Sequence, residues 1–228
     1  MATATHVQSE SREAVQRFLL RGVHWNLYEL LFREVGDHPI RLTFDRGNLE
    51  LMSLPGEHRL YTRLVDKLIK TLAEVTETPL KSGKPLIFKR HELERGLEHD
   101  RYYYIDHDLP AREMREFNSA YDLPPDLIVE IDLLGSTLDR LAMYAAFWIP
   151  EVWRFDGQAL GVYILQKDGR YEPLAVSPRF PFPPLSEAVR FLYQCETMDE
   201  TSIVPSLHAW IREEITKGRS VLPRADHG

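Results

Sequence analysis

A single cysteine, Cys195, stands among 228 residues. That excludes a disulfide framework, a thiolate zinc site and a CxxC redox pair, and it fits a reducing compartment. Long apolar runs are missing as well. The longest, Leu141 to Ile149, falls far short of the ~20 residues that span a bilayer. The opening stretch MATATHVQSESREAVQ carries no apolar signal segment, so the expectation is a cytoplasmic protein with no membrane association. Positive charge is in deficit, with 28 Lys+Arg against 35 Asp+Glu and a formal charge of -7. This argues against a bulk electrostatic nucleic-acid binder, so any grip on a phosphate backbone needs a local basic patch or a metal. The motifs GxxxxGK(S/T), GxGxxG, HExxH and GxSxG are absent, which removes the common nucleotide, zinc-protease and serine-hydrolase readings.

What is present is a hydrophobic fraction of 43%, enough for a sizeable core and too much for a disordered chain. Leu27, Leu30, Leu31 and Val35 fall at helical spacing in Trp25–Val35. Alternating apolar residues in Ile40–Phe44 and Leu49–Met52 flank Asp45-Arg46-Gly47-Asn48, the pattern of a β-hairpin. Leu60, Leu64, Leu68, Leu72 and Val75 form the clearest helical stripe. Strands are expected at 86–88, 102–105, 152–155, 161–165 and 171–176. The run DLIVEI, Asp126–Ile131, has the look of a central buried strand. Ser136 with Asp139 resembles a capping box for a helix reaching Trp148, and two more helices are expected at 186–193 and 205–215. Strands and helices mix, so the fold class is α/β around a mixed sheet.

Chemistry concentrates in carboxylates on strands. Asp100 opens the strand RYYYI, and Glu130 sits inside the apolar strand with Asp132 two residues on. A charge in such a strand is costly to bury unless it is paired or binds a cation. Asp132 is either an accessory acid on the same face or the cap of the following turn. Two acidic oxygens on neighbouring strands suit Mg²⁺ completed by water and phosphate oxygens, and such a metal clamps an in-line phosphoryl displacement. Arg140, on the next helix, can stabilise the extra negative charge; its plainer role is an ion pair with Asp132 or Asp139. Lys84, Lys89 and Arg90 lie in the one basic stretch, Lys81–Arg95. They are candidates for nucleic-acid contact, against the plainer reading of a solvated strand face.

The block PPDLIVEIDLLGSTLDRLAMYAAFWIPEVWRFDG resembles the signature of the bacterial Uma-two family. That family lies in the PD-(D/E)XK, restriction-endonuclease-like superfamily. GLEHDRYYYID and LTFDRGNLELMSLPGEH are similar to its upstream strand, hairpin and helix start, and the similarity covers about residues 22–176. The resemblance implies a restriction-endonuclease-like core, a mixed β-sheet flanked by helices, with an N-terminal β-hairpin and a C-terminal helical extension. It implies an Mg²⁺- or Mn²⁺-dependent endonuclease acting on DNA, and by analogy a homodimer. The alternative is a nuclease fold without activity, serving as a binding module.

By the same resemblance Asp100 and Glu130 are the metal ligands. Asp100, Glu130, Arg140 and Glu57 form the catalytic set, with His58 and Asp132 as accessories. Glu57 is expected to point toward the sheet. His99 stands where the family carries proline, and Arg140 where it carries lysine. Arginine stabilises charge but cannot act as a general base. The expected organisation is a flexible segment 1–22 and one nuclease-like domain 23–215, with its core at about 40–176 and C-terminal helices at about 185–215. A disordered tail, 216–228, would follow.

Overall fold

The leucine stripe folds as expected into one long helix, and that helix fixes where the main core lies. The computed structural model describes residues 16–36, 38–83, 87–105, 123–181, 185–194 and 200–221. In chain order the first elements are β1 (Arg17–Arg21), α1 (Trp25–Val35), β2 (Ile40–Asp45), β3 (Asn48–Ser53) and α2 (Gly56–Val75). Then come β4 (Lys81–Gly83), β5 (Ile87–Arg90), β6 (Arg95–Glu98), β7 (Arg101–Tyr104) and β8 (Leu127–Ile131). The rest are α3 (Arg140–Ala146), β9 (Glu151–Phe155), β10 (Leu160–Leu165), β11 (Tyr171–Leu174), α4 (Leu185–Gln194) and α5 (Glu200–Val221).

The α/β class stands, but the strands divide into two sheets where a single mixed sheet over 40–176 was expected. One is antiparallel, in the order β1-β3-β2-β6-β5; the other is β11-β10-β9-β8-β7-β4, with β8 and β9 parallel. The β2–β3 hairpin pairs with β6, so it joins that smaller sheet. Three strands, β1, β4 and β6, carry no alternating signal. KSG and RGLE read as loop from sequence because strand pairing, not composition, makes them strands. Gly96 in β6 is a forced choice, since a Cβ there would overlap the Tyr28 hydroxyl where α1 lies on the sheet. In the hairpin turn Arg46 and Gly47 both have positive φ, 47° and 81°, the twist a two-residue connection requires.

β8 is the central strand of the mixed sheet, and all five of its residues are buried. Its side chains alternate between two layers. Leu127, Val129 and Ile131 join Leu64, Val65 and Leu68 of α2 in one core. Ile128 faces the other way, with Met143 and Tyr144 of α3 and Phe88 and Leu97 of the smaller sheet. Glu130 shares that second face, between the two sheets.

Three boundaries differ from expectation. α3 begins at Arg140 under an Asp139 cap, whose side chain accepts from the Ala142 N–H at 3.0 Å. Ser136 has another task. Its hydroxyl donates to Glu50 of β3 at 2.7 Å, and the Thr137 N–H donates to the other oxygen of Glu50 at 2.7 Å. Residues 17–21, within the segment expected to be flexible, form β1 by pairing with β3. α5 continues through Val221, past the expected end at 215. Residues 1–15 and 222–228 lie outside the described residues, and no described helix is long and apolar enough to cross a membrane.

Candidate functional site

Cross-strand register places the site. In the antiparallel pairing of β2 with β3 and β6, Thr43 is level with Glu50 and Leu97, and Arg41 follows two residues away on the same face. The opposite face, with Leu42, Phe44 and Leu49, is covered by Trp25 and Tyr28 of α1. Arg41 and Thr43 therefore front the mixed sheet, where Asp100 and Glu130 wait. Asp100 lies at the β6–β7 junction. Its backbone N–H donates to Val129 O at 3.2 Å, and its Oδ2 accepts from the Ile131 N–H at 2.7 Å. Its carboxylate thus lies against the backbone of β8, at the residue after Glu130.

Both carboxylates meet buried guanidinium groups. Arg41 Nη2 donates to Asp100 Oδ1 at 2.5 Å, and the pair is 4% and 4% exposed. His58 Nε2 lies 2.9 Å from the same oxygen and 3.2 Å from Arg41 Nη2; with its proton on Nε2 it donates to the carboxylate. Burial opposes the charge on Asp100, but Arg41, His58 and the Ile131 N–H outweigh it and hold the carboxyl well below its usual range. Arg140 Nε donates to Glu130 Oε1. Its other nitrogens reach Thr43 Oγ1 at 2.7 Å, the Tyr144 hydroxyl at 3.1 Å and Glu98 O. Burial opposes the Arg140 charge too, yet Glu130 and Tyr144 keep it firmly protonated. One atom of the group stands apart. Glu130 Oε2 is buried with no hydrogen-bond partner among the described residues.

The expected site residues separate on this geometry. Asp100, Glu130, Arg140 and His58 come together in one buried cluster. Glu57 does not join them, because α2 turns it outward to solvent and its neighbour His58 inward. The two differ by only one helical step, so the docking of the helix decides between them. Asp132 pairs with Arg154, not with Arg140. Lys89 is tied to Glu29 at 3.1 Å and Arg90 lies 5.8 Å over the Phe147 ring, both on β5 away from Asp100. Lys84 lies outside the described residues. Sequence reasoning missed Arg41 altogether.

Beside Asp100 opens a cavity of about 360 Å³. Its floor is buried Arg41, His58, His99 and Asp100, and exposed Arg59 and Arg63 stand at its rim with half-buried Arg101 and Glu98. Four arginines thus face two acids, a local cationic excess on an acidic protein. Burial pushes the Glu98 carboxyl up. It also pushes the His99 imidazole down to about 3, with Asp100 opposing and Arg41, Arg140 and Arg101 reinforcing the shift.

His99 therefore makes stability pH-dependent. Its folded value lies below the ordinary ~6.5, so on acidification the unfolded chain takes up a proton that the folded one refuses. Stability falls from about pH 6.5 downward. Asp100, held low in the fold, adds a loss of the same sign only below about pH 4. Denaturant midpoints of His99→Gln should fall less on acidification from about pH 6 to 4 than those of wild type, while Glu98, raised in the fold, contributes with the opposite sign in both proteins. An unchanged slope would contradict the buried neutral imidazole.

A hard divalent cation needs several oxygen ligands. Asp100 spends both oxygens on Arg41, His58 and the Ile131 N–H, and Glu130 spends one on Arg140. The two acids and two guanidinium groups already sum to zero charge. Among the described residues no three His, Cys, Asp or Glu side chains group as a metal site. As arranged, the donor set does not fit a resident Mg²⁺ or Mn²⁺.

No functionally curated protein matches the sequence. A crystal structure from Anabaena variabilis ATCC 29413, described as "a putative nuclease belonging to DUF820", is similar at 14% identity. The match covers 81% of this chain and 98% of that one, with a TM-score of 0.42. The family described as "Uma2: Putative restriction endonuclease" matches residues 27–198. The strand, capped helix and β9 turn that carry the sequence resemblance lie within that span, and the chain belongs to the Uma2 family.

Proposed function

We propose that this protein uses a nuclease-family fold to bind the phosphate backbone of DNA at the arginine-lined cavity, without a divalent cation and without cutting the strand. The observation that carries this reading is the closure of both carboxylates by buried guanidinium groups, Arg41 on Asp100 and Arg140 on Glu130. With its acids neutralised from within, the site has exposed Arg59 and Arg63 at its rim, beside Arg101, which donates to Asp100 O at 3.2 Å and lies 3.9 Å from Asp66. Guanidinium groups suit phosphate because their fork of donors matches two phosphate oxygens.

Fluorescence anisotropy of a labelled DNA duplex in EDTA tests the reading. Saturable binding is expected, falling steeply with salt. Arg59→Ala combined with Arg63→Ala should weaken it about tenfold or more, at ~1 kcal/mol or more per lost charged contact. Absence of binding in EDTA would overturn the proposal.

A second reading, Mg²⁺-dependent phosphodiester hydrolysis, has one observation in its favour, the partnerless Glu130 Oε2. It requires that Mg²⁺ promote cleavage of a plasmid substrate and that Glu130→Gln abolish it with the fold intact. Our reading expects no cleavage from either protein.

A further inference from the structure

We propose that the Arg41 guanidinium holds the place of a divalent cation, so that the site is a metal centre closed by one side chain and reopened by its removal. This rests on the reading of a closed carboxylate pair and adds a residue that sequence analysis did not single out. Arg41 is 4% exposed, and its Nη2 sits 2.5 Å from Asp100 Oδ1. It comes from β2 of the smaller sheet, so the strand that carries it is not one that carries the acids. Burying a guanidinium is costly without a partner of opposite charge, and Asp100 is that partner.

Charge summation leads to the same place. Asp100 and Glu130 against Arg41 and Arg140 sum to zero, and a divalent ion added to this buried group would bring two positive charges with only half-buried Glu98 beside them to offset either. Without Arg41 the group carries one net negative charge. Asp100 Oδ1 then keeps only His58, and Glu130 Oε2 already lacks a partner. Two carboxylate oxygens on adjacent strand segments become available to a hard cation that brings its own water. Arg140 remains in contact with Glu130 Oε1, so the reopened site is weaker than a full acidic cluster.

The test is isothermal titration of Mn²⁺ into the full chain with no nucleic acid present. Wild type is expected to show no saturable binding. Arg41→Ala should bind one Mn²⁺, and adding Asp100→Asn should weaken that binding at least about tenfold, since it removes a charged ligand. Arg41→Gln, which keeps polar bulk, serves if the alanine variant does not fold. Mn²⁺ binding by wild type that Asp100→Asn removes would overturn the proposal. So would a folded Arg41→Ala or Arg41→Gln protein that binds none. Should neither variant fold, wild type decides alone, because Asp100-dependent Mn²⁺ binding refutes closure and its absence supports it. DNA binding in EDTA is a separate readout, so failure here is distinguishable from failure of the proposed function.

Discussion

Arg140→Ala should lower the unfolding free energy by about 3–5 kcal/mol, the cost of leaving one member of a buried ion pair alone. Glu130 is 1% exposed and Arg140 3% exposed, so water cannot replace the lost partner. The guanidinium also donates to Thr43, to Glu98 O and to Tyr144, and these acceptors lie on the smaller sheet and α3, whereas Glu130 is on the mixed sheet. The loss therefore loosens the contact between the sheets as well as the charge balance. Arg140→Lys keeps the charge but gives up the fork, so it should fall between wild type and alanine. The double variant Glu130→Gln with Arg140→Met removes both charges and should recover most of the stability. Urea unfolding of the four proteins decides the matter. A single alanine variant within about 1 kcal/mol of wild type would mean that the pair is solvated.

The second large effect lies outside the cleft. Arg179 bridges two fully buried acids, with Nη1 2.9 Å from Glu151 and Nη2 3.3 Å from Asp126. Glu151 also accepts from the Trp153 indole N–H at 2.6 Å, and Asp126 from the Ile105 N–H at 2.7 Å. These acids stand where β8 and β9 begin, and Leu127 is in register with Glu151. Arg179→Ala should again cost about 3–5 kcal/mol because two carboxylates lose their shared counter-charge. DNA binding by the folded fraction should not change, since Arg179 does not line the cavity beside Asp100. Unfolding midpoint and anisotropy measured on one sample separate the two quantities. A variant that stays stable yet loses DNA binding would place Arg179 in the interface and contradict this account.

The fold was legible wherever a side-chain period survived in the sequence. The Leu60–Val75 stripe, the Arg46-Gly47 turn between alternating strands and the apolar run before Glu130 each announce their element. β1, β4 and β6 were not legible, because strands of three to five residues are made by their neighbours. The site was half legible. Glu130 betrayed itself as a charge inside an apolar strand, and the family resemblance pointed to Arg140 in its main block and to Asp100 in the upstream segment. Arg41 gave no signal. It alternates with apolar residues like any solvent-facing strand residue, and its partner lies 59 positions away. Glu57 and His58 begin the same helix, so only the docking of α2 on the sheet could separate them. Asp126 and Glu151 carry no sequence signal of their pairing, because Arg179 lies 53 and 28 positions away.

In the proposed reading, internal arginines and not a metal neutralise the carboxylate pair. A crystal soaked with Mn²⁺ and measured at an anomalous wavelength tests it most directly. No anomalous peak is expected between Asp100 and Glu130, with the Arg41 and Arg140 guanidinium groups still seated on the two acids. An anomalous peak ligated by both carboxylates, with Arg41 swung away, would contradict it.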